Sequence, residues 1–378
     1  MNQNPQDLLT TQKTINSFDQ VYEQIIELHD LNLPDRVVDM DGVKIRQDGN
    51  KKNPGLLFDV PNMGMLSLTK HSERQLGSIL GCHFDKWFDP KIMKPEEVQQ
   101  ELQTRFNRRD ISCKVRARKH PKGSPATKYC DGFARAFLGS SYSPIDDIRI
   151  FSRLKKQFGA QMEGIRFIKD HLGTDYYNDR ASHFTVVSEP INLGPINRKH
   201  ANKRVRDIYD IAEREGELPD ADWIYQGYHI RNSEVGYTAI TIDSTTFRLV
   251  CLNGCIISVK DGRLLYRQHR NISDADIDVL LDGAFRKMPT AWEHNKRNME
   301  ALHDVVITEP DTEIKGFLEK AKAGKGFIKQ VQAAYREEPL GNAYGIWAAI
   351  TRAAQIESDM EKRQELEEFG GRYLVQTN

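Results

Sequence analysis

Cysteine is scarce in this sequence. Five Cys among 378 residues, irregularly spaced, do not make a disulfide framework, and they read as reduced thiols of an intracellular protein. Net charge is missing as well, because 54 Lys and Arg face 54 Asp and Glu. A chain balanced this way is not coated with a nucleic-acid-binding field, so any such binding has to come from a local groove with the acids placed elsewhere. No apolar run is long enough to span a bilayer, and the N-terminus lacks the hydrophobic core of a signal peptide. The expectation is a soluble, cytoplasmic protein with no membrane partner.

Motifs that carry chemistry are equally thin. There is no GxxxxGK[ST] phosphate loop, no GxGxxG after a strand and no GxSxG elbow, so no cofactor and no catalytic residue is assigned. Cys251 and Cys255 are four apart, but no second Cys or His pair completes a tetrahedral zinc site. Asp39-Met40-Asp41 and Asp146-Asp147 read as a hairpin turn and a helix first turn rather than as magnesium ligands, and no metal is expected.

What is present is enough to fold. With 39% hydrophobic and 29% charged residues, the chain suits one large or two modest domains with a well-solvated surface. The stretch Phe247–Met288 organises the rest. A strand over Thr246–Leu252 meets Asn253-Gly254, the dipeptide suited to a two-residue hairpin turn. Cys255–Val259 returns, Asp261-Gly262 marks a second turn, and Arg263–Arg270 is a third strand. Ser273-Asp274-Ala275-Asp276 then caps a helix whose Ile277, Leu280, Leu281, Ala284 and Met288 share one face. The fold class this predicts is α+β: an antiparallel β-meander packed by helices, with a β-β-β-α core and a helical C-terminal region.

Three regions follow from a pass along the chain. Residues 1–54 hold a polar start, an amphipathic helix over Ile15–Leu28 and a small hairpin over Val37–Ile45. Residues 55–288 form the central α+β domain. Here helices are expected from Ser67 to near Gly81, over Pro95–Arg109, and from Ser143 (with Pro144 at the first helical position) to Gly159. Residues 289–378 are helical, with a capping box at Thr290–Glu293 and one long helix over Gly341–Phe369.

The basic stretches are the strongest chemical signal. Over Ile111–His120, Cys113, Val115 and Ala117 alternate with Lys114, Arg116 and Arg118, which predicts a half-buried strand with a basic outer face. Lys119, Lys122 and Lys128 extend that charge through the following loop, and Arg135 stands on the next strand. A second cluster holds Arg198, Lys199, Lys203 and Arg204, and a third holds Arg263, Arg267 and Arg270. Cations at strand spacing roughly match the phosphates of a nucleic-acid strand, and Tyr129, Phe133 and Tyr266 stand nearby to stack on bases.

Several segments resemble a known family in their order along the chain. These are Leu68-Thr69 with Arg74-Gln75-Leu76, Arg135–Leu138 with Tyr142–Asp146, Asn232–Gly236, Phe247–Gly254 and Arg267–Ile272. Toward the end come Asn342–Trp347, Glu365–Glu367 and Gly370–Arg372. Together they resemble the phage- and plasmid-associated family designated domain of unknown function 932. The likeness runs over roughly Leu56–Leu374; after Asn342 the Trp and the small residues are rearranged relative to the family. The resemblance implies a home on phages, prophages and other mobile elements in a bacterial host, and it supplies no activity. At the level of fold alone, the strand-strand-strand-helix unit is similar to the core of Redβ- and Erf-type single-strand annealing proteins.

These readings converge on a phage- or plasmid-encoded single-stranded DNA-binding protein that promotes ATP-independent strand annealing in recombination or replication. It would work as a homo-oligomeric ring or filament, with a phage exonuclease or a host single-strand-binding protein as further partners. Two alternatives stand beside it: a non-enzymatic host-interaction or counter-defence protein, and a metal-dependent nuclease whose acids converge only in space.

Overall fold

The computed structural model describes residues 15–47, 56–82, 93–108, 111–158, 166–171, 181–192, 223–250, 253–254, 257–354, 356–357 and 360–377. In chain order the first strands and helices are β1 (Ile15–Ser17), α1 (Phe18–Asp30), β2 (Arg36–Asp39), β3 (Lys44–Gln47), β4 (Leu56–Val60), β5 (Gly64–Leu68), α2 (Lys70–Leu80), α3 (Pro95–Arg108), β6 (Ser112–Lys119), β7 (Gly132–Leu138) and α4 (Asp147–Phe158). There follow β8 (Arg166–His171), β9 (Ser182–Asn192), β10 (Trp223–Asn232), β11 (Ile240–Val250), β12 (Asn253–Gly254), β13 (Ile257–Arg267), and the helices α5 (Asp274–Asp304), α6 (Pro310–Lys320), α7 (Lys325–Glu337), α8 (Ala343–Ala354) and α9 (Met360–Gln376).

The first sheet has the order β2-β6-β7-β5-β4-β3, antiparallel throughout except for the β5–β7 pair. Its two edge strands are consecutive in sequence and joined only through residues 40–43. The sheet therefore has to curl until its edges approach one another. The expected hairpin over Val37–Ile45 is thus replaced: β2 pairs with β6 and β3 with β4. Alternation along β6 sends Cys113, Val115 and Ala117 inward, where they meet Phe58, Leu66 and the apolar faces of α2 and α3. Thr69 caps α2 by a reciprocal hydrogen-bonded box with Ser72, and Gly81 ends it in the left-handed conformation at φ 67°.

The second sheet runs β1-β8-β9-β10-β11-β13, all antiparallel, with neighbours mostly consecutive in the chain. A meander is present, but from other strands than expected: β10, β11 and β13 form it, and the stretches expected as separate second and third strands fall largely within the single strand β13. Asn253 pairs with Val250 and Gly254 with Leu249, so Asn253-Gly254 is paired strand and not the expected turn. Asp261-Gly262 is no turn: it lies inside β13, where the pairing steps from Asp243–Arg263 to Thr245–Ser258 and leaves extra residues bulged on β13. One face of this sheet packs on α1, α4 and α5 through Phe18, Phe151, Tyr228, Ile242, Leu281 and Phe285. Arg149 and Arg153 on α4 pair with Asp274, Asp278 and Asp282 on α5, which fixes those helices side by side.

Helix α4 begins at Asp147, four residues after the predicted start, because Ser143 is used elsewhere: its hydroxyl accepts from the Ile272 amide at 3.0 Å. Helix α5 passes through Pro289 and so crosses the expected boundary at 288, with no capping box at Thr290. Trp292, one turn beyond, packs against the sheet core and donates to the Gly227 carbonyl at 2.9 Å, which ties the helix to the sheet just past the proline. The far end of α5 supplies Met299 and Leu302 to a separate helical core with Tyr344, Trp347 and Tyr373. The long helix expected over Gly341–Phe369 is two helices, α8 and α9, since α9 folds back to bury Tyr373 and Leu374 against α8. Among the described residues, no helix is long and apolar enough to cross a membrane.

Candidate nucleic-acid interface

Lys114, Arg116 and Arg118 do share one face of β6, as the alternation requires, but that face is not outside. Arg116 and Arg118 are each 4% exposed, and Arg135 on β7 is 2% exposed. Arg135 reaches the same place through a bulge: Arg116 pairs with Ala136 and Ala117 with Ala134, which leaves Arg135 as the extra residue. The expectation that these three arginines line a solvent-facing groove is corrected here. The segment linking β10 to β11 covers them.

That segment plugs into the first sheet residue by residue. Ser233 accepts from the Tyr142 hydroxyl through its carbonyl at 3.0 Å. The Glu234 carboxylate receives Arg135 at 2.8 Å, Arg118 at 3.6 Å and the Asp147 amide at 2.9 Å, while its carbonyl accepts from Arg116 at 2.6 Å. The Val235 carbonyl accepts from Gln75 at 2.8 Å and lies 3.1 Å from the His71 ring nitrogen. Gly236 then turns with φ +76° against Leu138, where a Cβ would lie 2.6 Å from the leucine methyl; only glycine fits.

Three guanidiniums therefore meet three carboxylates, since Arg116 also pairs with Asp35 at 3.0 Å and Asp146 at 2.6 Å. Asn32 adds its side-chain oxygen to Arg118 and Arg135. Ions this far from water persist only when paired and hydrogen-bonded on most of their valences, and that condition is met. Burial by itself would raise the Glu234 carboxyl, but Arg135, Arg116 and Arg118 outweigh it and hold the group well below the usual carboxylate range. Burial and the nearby Glu234 raise Asp146 against the opposing pull of Arg116. The network is a structural clamp between the sheets, and Asp146, offered by the sequence as a helix first turn, belongs to it.

The remaining sequence-predicted residues fall into separate places. The Lys114 ammonium donates to the Tyr142 carbonyl at 2.7 Å. Lys119, Lys122 and Lys128 are exposed at and beyond the opposite end of β6, with Tyr129 51% exposed beside them. Phe133 is 1% exposed and packs against the His120 ring at 5.5 Å, so its expected base-stacking role is withdrawn. Arg263 pairs with the buried Asp243 at 2.8 Å. Arg267, Arg270 and Tyr266 are exposed at the end of β13 and just beyond it. Arg198, Lys199, Lys203 and Arg204 lie outside the described residues, as do Cys251 and Cys255. Lys114 and Lys119 are five rungs apart, about 17 Å along the strand, with buried arginines between them. The described cations form no single continuous track.

A cleft of about 390 Å³ opens between the turn after β7, the segment after Gly236 and the residues ending β13. Its wall is stitched by backbone hydrogen bonds from Ser143 to His269 and from Asn271 to Ser141, both 3.0 Å. His269 lines it, stacked on Tyr142 with ring centres 5.4 Å apart and planes 6° from parallel. Burial lowers the His269 pKa to about 4, with Arg116 adding to the effect, so the imidazole is neutral at pH 7.

Sequence reasoning missed Glu234, Asp35 and Asn32, because a single acid or amide between strands has no period to reveal it. One signal was on hand. Leu68-Thr69, Gln75, Arg135–Leu138, Tyr142–Asp146, Asn232–Gly236 and His269–Ile272, singled out in the sequence as an ordered set, are linked to one another by hydrogen bonds and ion pairs. Comparison of the chain with known protein families, with characterised proteins and with solved structures finds no match.

Proposed function

We propose that this protein binds single-stranded nucleic acid through the loop between β6 and β7. The carrying observation is that Lys119, Lys122 and Lys128 stand in water beside the exposed ring of Tyr129, and none of the three pairs with a carboxylate among the described residues. Such lysines neutralise phosphates by releasing counterions, while one tyrosine face holds a base by stacking. The rest of the net-neutral surface keeps contact local. A loop this small grips only a few phosphates, so several copies would have to share a strand, and bases between the grips would stay free to pair. This supports a role in strand annealing without a nucleotide cofactor.

The experiment is fluorescence anisotropy with a labelled single-stranded oligonucleotide over a salt series. Binding should weaken steeply with salt. Lys119→Ala/Lys122→Ala/Lys128→Ala should flatten the log–log slope by roughly 2, as expected for three single-strand phosphate contacts at about 0.7 each. No salt-sensitive binding, or an unchanged slope in the triple variant, refutes the proposal.

A further inference from the structure

We infer that the cleft beside His269 is a binding site for one nucleoside monophosphate unit, separate from the lysine loop and independent of the reading given for it. Its volume, about 390 Å³, falls within the range of small-molecule sites. Two tyrosines on its wall, Tyr237 and Tyr266, are 43% and 55% exposed, a large aromatic area left in water. Each ring is held in place: His71 meets Tyr237 edge-on at 5.8 Å, and the Arg263 guanidinium lies 5.8 Å from the Tyr266 ring centre. Rings positioned like this offer flat faces to a planar heterocycle at little entropic cost.

The charge pattern narrows the ligand further. Arg270 lines the cleft, exposed, with its backbone fixed in a bridge to Tyr142 and its side chain in no ion pair with any described residue. His269 is uncharged, so Arg270 is the cation at this cleft. One cation suits one phosphate and is too little for a triphosphate, and it repels cationic ligands. Ser141 and Gln268 bring further hydrogen-bonding groups. A base stacked on an exposed tyrosine face with its phosphate on Arg270 satisfies all of these features. The unit has two sources, a free nucleotide or one residue of a bound strand.

Isothermal titration with dAMP, deoxyadenosine, inorganic phosphate and a short oligodeoxyadenylate tests this. Binding of dAMP is expected, deoxyadenosine weaker, phosphate alone undetectable. Arg270→Ala should weaken dAMP at least about tenfold, the worth of one charge-assisted hydrogen bond, and leave deoxyadenosine unchanged. Tyr266→Ala should weaken both. Both side chains are exposed, so an unchanged melting temperature certifies the fold. Tighter binding of the oligonucleotide than of dAMP, lost in Tyr266→Ala, assigns the unit to a strand; tight binding of dAMP alone assigns it to a free nucleotide. Absence of dAMP binding, or binding indifferent to both substitutions, overturns the inference. The lysine-loop triple variant leaves dAMP binding intact, which keeps the two proposals distinguishable.

Discussion

The Arg135 guanidinium lies 2.8 Å from the Glu234 carboxylate with both groups nearly out of water, and this pair locks the segment between β10 and β11 onto the first sheet. Removing one partner leaves an uncompensated buried charge, a far larger penalty than the net value of the pair. Glu234→Gln preserves shape but leaves three guanidiniums facing Asp35 and Asp146 alone. The expected loss in urea unfolding is about 3–5 kcal/mol. A loss under about 1 kcal/mol, the scale of a surface pair, would mean that water reaches the cluster.

The same carboxylate makes the fold acid-sensitive. Its folded pKa is depressed below the ordinary 4.5 because three arginines outweigh its burial. A depressed acid contributes stability that is complete above its unfolded pKa and is lost as pH falls through the folded value. Unfolding free energy should therefore drop as pH is lowered below about 4.5, and Glu234→Gln should remove much of that slope. Equal slopes in the two proteins between pH 4.5 and 3 would remove Glu234 from the account.

Gly236→Ala probes the same junction sterically. The residue sits at φ +76°, and the added methyl would lie 2.6 Å from Leu138 and 3.3 Å from the Tyr142 ring. The left-handed conformation alone costs a non-glycine residue about 1 kcal/mol, and the clash adds to it. A lowered melting temperature is expected, whereas Gly139→Ala, with open space around it, should change little on steric grounds. Equal melting of the two variants contradicts this geometry.

Much of the fold was legible because periodicity reports one-sided burial. The alternation of β6, the Ser273 cap of α5 and the end of α2 at Gly81 appear where the pattern put them, while α2 starts at Lys70 instead of Ser67, which belongs to β5. Pattern fails where a second layer covers the polar face. Arg116 and Arg118 alternate like the outer face of a two-layer sheet, and nothing in β6 announces that Glu234, more than a hundred residues later, will lie over them. The turn signals failed for a related reason. Asp261-Gly262 marks a place where the backbone can deviate, and a bulge within β13 uses that freedom as readily as a hairpin does. Tyr129 and Tyr266 remained exposed, as a base-stacking role requires, while Phe133 went to the core as its apolar ring favours.

His269 should govern stability in a higher pH window than Glu234. Burial pulls its pKa from 6.5 to about 4, so the unfolded chain takes up a proton there that the folded protein refuses. The contribution is complete above pH 6.5 and is lost progressively as pH falls toward 4, with a slope approaching about 1.4 kcal/mol per pH unit. Glu234 is ionised in both states through most of this range, so the two effects separate. His269→Phe keeps a ring stacked on Tyr142 and removes the proton site. Chemical denaturation at pH 6.5, 5.5 and 5.0 should show stability falling more steeply in the wild type than in the variant, whose remaining slope includes His120, also lowered by burial. Parallel curves would mean that His269 is protonated in the folded protein at pH 5, and the neutral wall assigned to the cleft would then be wrong.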